Sequence, residues 1–153
     1  MYDSMIRKAT IYDIFKIADM WAWMQNEMDL PHRYADDAEK EKFLYGLTQK
    51  IYKPDRVVLV AEEDGKIIGF VMGVARYYEY GTAALVGSCE HLYVYPEHRD
   101  KGVAFKLLEV LQNNGRAMGC KEIEFITKYD EKLIKIYGRK GYKPVEIVFV
   151  KEV

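Results

Sequence analysis

The sequence predicts a mixed α/β fold, and three observations carry that prediction. Apolar residues recur at helical spacing in the first fifty positions. A run of β-branched residues with turn chemistry fills the middle. Strand-like and helix-like segments then alternate to the end. The chain has 153 residues and a mass of 17.9 kDa, a length suited to one compact domain over residues 1–153.

The elements follow in order. Met5 to Ala9 is a short strand candidate. Thr10 followed by Asp13 matches a helix N-cap with a first-turn acid. Ile14, Ile17, Ala18, Trp21 and Met24 then mark an amphipathic helix to about Gln25, with Trp21 toward the core and Trp23 on another face. A polar connection leads to a second helix from Ala38 to about Tyr52, striped by Phe43, Leu47 and Ile51. Val57 to Ala61 reads as a buried strand, Glu63 to Lys66 as a turn, and Ile67 to Tyr77 as the return strand. The tract from Tyr77 to Gly87 reads as a loop or strand end. Ser88 to Tyr95 is the next strand, stopped by Pro96. Val103, Leu107, Val110, Leu111 and Met118 mark a third helix. Cys120 to Thr127 alternates as a strand, and Tyr129 to Lys140 forms a shorter helix closed by Gly141. Val145 to Val150 is expected as the last strand.

Composition narrows the function. Lys plus Arg is 23 and Asp plus Glu is 24, a net charge of -1. Bulk electrostatic binding of nucleic acid needs clustered excess base, so no nucleic-acid partner is expected. The longest apolar run, Ile67 to Ala75, is nine residues with two glycines. It is too short to span a bilayer, so no membrane partner is expected. Charged residues interrupt the first twenty positions, so no secretory segment is expected. Cys89 and Cys120 make no disulfide framework and no zinc spacing, so no metal is expected. The reading is a cytoplasmic protein.

The informative segment is Leu92-Tyr-Val-Tyr-Pro-Glu-His-Arg99-Asp-Lys-Gly102-Val-Ala104. It is a strand, a proline stop, a polar turn and the small-residue opening of a helix. Backbone N–H groups converge at such a turn, and the helix adds partial positive charge at its start. That combination suits a pyrophosphate. Gly102 lets a phosphate approach the backbone, Ala104 keeps the second position small, and Arg99 and Lys101 add cationic contacts. The bland alternative is an ordinary turn glycine. The spacing fits neither a Walker A loop nor a GxGxxG fingerprint.

With Val94-Tyr95-Pro96, then Arg99-x-x-Gly102-x-Ala104, then Tyr137-Gly-Arg-Lys-Gly141-Tyr142, the chain resembles the GNAT superfamily of acyl-CoA-dependent N-acetyltransferases. The opening Ile6-Arg7-Lys8-Ala9-Thr10-x-x-Asp13 fits the same pattern. The resemblance implies a mostly antiparallel central sheet whose central parallel strands splay apart, with helices on its flanks. It implies acetyl-CoA as co-substrate and direct transfer to an amine. By the same resemblance, the backbone of Leu92, Tyr93 and Val94 holds the pantetheine arm and acyl carbonyl. The amides of Arg99, Asp100, Lys101, Gly102, Val103 and Ala104 hold the pyrophosphate. Tyr137 takes the position of the acid that protonates the leaving thiolate. A phenol of pKa about 10 suits a thiol of about 8.5 to 9.

Glu90 lies where several family members place a base; its alternative is an ion pair or a solvent-facing carboxylate. On a regular strand His91 and Tyr93 point away from Glu90, and a bulge changes that. Asp130 stands where many members carry an Asn near the cofactor, which substitutes a carboxylate for an amide donor. Twelve residues follow Gly141, little room for the family's last hairpin. The unfilled edge makes a homodimer an expectation. Cys89 reads as a small buried hydrophobe rather than a nucleophile.

The acceptor is left open. The tract from Asn26 to Glu41 is rich in acids and would draw a cationic amine, although acids also gather at helix starts for dipole reasons. The competing function class is a non-catalytic CoA-binding or structural protein that keeps the fold. A third reading, acetylation of charged tRNA, is opposed by the lack of net positive charge.

Overall fold

The computed structural model describes residues 5–78 and 83–153. Its sheet has five strands: β1 (Met5–Lys8), β2 (Arg56–Glu63), β3 (Lys66–Tyr77), β4 (Leu85–Val94) and β5 (Glu122–Phe125). They lie in the order β1-β2-β3-β4-β5. All neighbours are antiparallel except β4 and β5, which run parallel. Helices α1 (Ile14–Glu27) and α2 (Asp37–Lys50) cover one face, and α3 (Val103–Ala117) covers the other. A last helix, α4 (Glu131–Arg139), follows β5. Among the described residues no helix is long and apolar enough to cross a membrane.

Period-2 alternation in the central strands divides the core into two clusters. Val58, Val60, Phe70, Met72 and Tyr93 face α1 and α2, where Ile17, Met20 and Leu47 are buried against them. Leu59, Ala61, Val71 and Val94 face α3 and meet Leu107 and Leu111. The end of α3 lies close to the sheet because Gly115 has no side chain: a Cβ there would stand 2.7 Å from Ile123 Cδ1.

A polar clamp fixes the entry into α1. Thr10 and Asp13 form a reciprocal capping box around a short 3-10 turn, Ile11–Asp13. Arg7 grips both Asp13 oxygens at 2.8 and 2.9 Å and reaches Glu62 on β2 at 3.1 Å. Asp13 is 6% exposed. The Arg7 guanidinium, more than the Thr10 amide, holds its carboxyl below the usual carboxylate value despite burial. A depressed folded pKa stabilises the fold above the unfolded value, near 3.9, and that contribution is lost as pH falls through the folded value. Asp13→Asn is therefore expected to lower stability at pH 7 by about 2 kcal/mol. It should also flatten the loss of stability below about pH 4. Urea midpoints measured from pH 7 to pH 2 check this; parallel curves for the two proteins would exclude the clamp as an acid-labile element.

Several boundaries differ from the sequence-based reading. The strand expected from Ser88 begins at Leu85 and ends at Val94. Residues 79–82 of the tract read as a loop lie outside the described residues. The last strand, expected over Val145 to Val150, does not form. Val145, Ile147, Val148 and Phe149 are 63–91% exposed with no strand partner among the described residues. β-branched residues supply propensity, but a strand needs an adjacent edge.

Candidate functional site

The ladder between β4 and β5 is short. It runs from Val86–Glu122 to Cys89–Phe125 and stops, while β4 continues to Val94. Beyond Cys89 the two strands part, as the sequence reading expects. On that side the backbone of Glu90 to Val94 has no β5 partner. An edge of that kind can hydrogen-bond an extended amide-bearing chain as a further strand would.

At the far end of β4 lies the polar turn. Pro96–His98 forms a 3-10 turn. Asp100 at φ 65° and Gly102 at φ 78° then place two left-handed residues just before α3. Alternation of that kind turns successive N–H groups inward. Among the described residues no side chain caps α3 at Gly102, which leaves its first-turn N–H groups for an external acceptor. A Cβ built on Gly102 meets nothing within 4 Å, which leaves room over the turn for a phosphate. Lys101 is exposed beside it. Arg99, expected to add a cationic contact, is held elsewhere. Its Nε donates to the Val94 carbonyl at 2.8 Å, and its Nη2 donates to Glu27 at 2.9 Å. Glu27, at the end of α1, also accepts from the Tyr93 hydroxyl at 2.9 Å. Arg99 thus ties the turn to α1, a role no motif in the sequence signals.

The other end of the gap is aromatic. Tyr137 on α4 lies edge-on to Phe105, Phe125 and Tyr142, with centroids 5.4, 4.8 and 5.9 Å away. These rings fasten α4 to α3 and β5 and leave Tyr137 half-buried. Burial is the main cause that pushes its phenol above the ordinary value near 10. Neighbouring Cys89 and Tyr142 add to the shift, and the Thr127 side chain partly offsets it. The phenol therefore carries its proton throughout the physiological range. Burial also pushes the Cys89 thiol up to about 12, so no thiolate is available there for covalent acyl transfer. Asp130 accepts hydrogen bonds from the Lys132 and Leu133 N–H groups at 2.8 and 3.3 Å and caps α4. The carboxylate thus has a local structural partner.

Glu90 sits at a β-bulge. Met72 pairs with His91 and Gly73 pairs with Cys89, so Glu90 has no opposite number on β3. The extra residue sends Glu90 and His91 to one side. Both line a cleft of about 490 Å³ with Phe43, Lys50, Met72 and Ile126. Glu90 accepts a 2.5 Å hydrogen bond from Arg56 on β2, thirty-four positions away in sequence. No spacing pattern could have revealed that partner. Two polar residues in succession inside a patterned strand were the available sign of the bulge.

The comparisons agree with this geometry. The chain resembles the crystal structure of a transcriptional regulator from Bacillus halodurans C-125. The TM-score is 0.79 at 16% identity, over 99% of this chain and all of the other. It also resembles a predicted acetyltransferase with acetyl-CoA from Clostridium acetobutylicum, with TM-score 0.78 and 16% identity over 98% and 96% of the two chains. Aminoglycoside N-acetyltransferase AAC(6')-Iy in complex with CoA gives TM-score 0.77 and 19% identity over 99% and 97%. Identities this low establish the shared fold. The sequence model described as the acetyltransferase (GNAT) family matches residues 9–142. With most of its length matched and the strand gap in place, the chain belongs to the GNAT acetyltransferase family.

Proposed function

We propose that the protein transfers the acetyl group of acetyl-CoA directly to a primary amine. The observation that carries this reading is the gap between β4 and β5. It is bordered by the Gly102 turn at one end and Tyr137 at the other, and it opens on the cleft at Glu90 and His91.

In this reading the backbone of Leu92, Tyr93 and Val94 aligns the pantetheine arm. The N–H groups from Arg99 to Ala104 take the pyrophosphate. Asp130 serves the cofactor indirectly, by fixing the start of the helix that bears Tyr137. Glu90 supplies negative charge that draws an ammonium into the cleft, and it is one of the groups there able to receive a proton. Tyr137 donates its proton to the sulfur as the C–S bond breaks. Its raised pKa favours retention of the proton until charge builds on the thiolate. No acyl-enzyme is needed, in keeping with the protonated Cys89.

Release of free CoA thiol tests the proposal. Purified protein is given acetyl-CoA with spermidine, kanamycin, glucosamine or an alanine-terminated peptide, and products are identified by mass spectrometry. We expect acetylated amine in step with thiol release for at least one acceptor. Binding of acetyl-CoA without acetylation of any amine would replace the enzyme with a CoA-binding protein.

A further inference from the structure

Three features converge on His91. The bulge at Glu90 turns the imidazole into the cleft beside that carboxylate. Phe43 on α2 braces it edge-on, with ring centroids 5.7 Å apart, and Phe43 itself stacks on Trp21 at 4.4 Å. Neither ring nitrogen has a hydrogen-bond partner among the described residues, although the side chain is half-buried. Glu90, by contrast, is already committed to Arg56 at 2.5 Å. One carboxylate oxygen of Glu90 is thus occupied by the guanidinium. A braced imidazole with a free nitrogen facing the acceptor cleft has the opposite character.

We infer that His91 is the group that takes the proton from the acceptor ammonium, with the Glu90–Arg56 pair as its fixed electrostatic neighbour. This rests on the acetyl-transfer reading above. The ammonium gives one proton to the His91 nitrogen and becomes a neutral amine, leaving an imidazolium. The amine nitrogen forms its bond to the thioester carbon, and the C–S bond breaks with its electron pair on sulfur. Tyr137 protonates that sulfur, and the second proton lost by nitrogen as the amide forms restores the phenol. The proton on His91 leaves to solvent, which balances the reaction.

The charged groups that face His91 are Lys42 and Lys50 on α2 and Glu90 on β4, with Arg56 on β2 behind Glu90. Burial, with a smaller contribution from Lys50, holds the imidazole below its usual 6.5 against the opposing pull of Glu90. It is therefore neutral and able to accept a proton at pH 7.

The test is the pH dependence of kcat/KM from pH 5 to 9, with the best acceptor found in the amine panel. Wild type should lose activity below a pKa under 6.5. His91→Gln should lower kcat about 100-fold and abolish that acid limb, and added imidazole should restore part of the rate to His91→Ala. Glu90→Gln should move the limb to lower pH, because the neighbour that favours the imidazolium is gone. Melting curves verify that each variant is folded. A His91→Gln enzyme with the wild-type rate and acid limb would overturn the assignment while acetyl transfer stands. A wild-type protein that binds acetyl-CoA and acetylates none of the amines would overturn both.

Discussion

Tyr137→Phe is expected to lower kcat by about 100- to 1,000-fold and to leave acetyl-CoA affinity within about threefold of wild type. The substitution removes one hydroxyl and keeps the ring. Contacts with Phe105, Phe125 and Tyr142 therefore remain, and α4 stays fastened to α3 and β5. Catalysis loses the only proton this side chain can give. A leaving thiolate would then depart without protonation by Tyr137, and substrates with poorer leaving groups should suffer more. Calorimetry for binding and stopped-flow thiol release for turnover separate the two effects. A variant as fast as wild type would remove Tyr137 from the chemistry.

Gly102→Glu should weaken acetyl-CoA binding at least 100-fold, about 2.7 kcal/mol. Two causes act together. Gly102 sits at φ 78°, where any side chain adds roughly 1 kcal/mol of backbone strain. The new carboxylate would also occupy the open space over the turn and face the incoming pyrophosphate. Gly102→Ala separates these causes, since it carries the strain without the charge and should lose about tenfold or less. Equal, small losses in both variants, seen by calorimetric titration, would mean that the phosphates bind elsewhere.

The sequence carried the architecture well, because the fold is built from strong local patterns. The alternation of β2 and β3 and the helical stripes of α1 and α3 reflect burial on one side, and burial leaves a period. The capping box at Thr10 and Asp13 was legible for the same reason: its partners lie three residues apart. The turn before α3 was visible as Arg99-x-x-Gly102-x-Ala104. What escaped depended on distant residues. The Arg56–Glu90 pair and the Glu27 link to Arg99 join segments far apart in the chain. The bulge that turns His91 into the cleft depends on how β4 registers against β3, which period alone does not fix. Val145 to Val150 has strand composition, and composition could not say whether an edge would be there to receive it.

A crystal structure of the protein with CoA tests the acetyl-transfer reading at its centre. CoA is expected in the gap between β4 and β5, with its pyrophosphate on the amides from Arg99 to Ala104. The sulfur should lie within about 3.5 Å of the Tyr137 hydroxyl and open toward the cleft at His91. A CoA bound outside the gap, or with its sulfur remote from Tyr137, would contradict that reading.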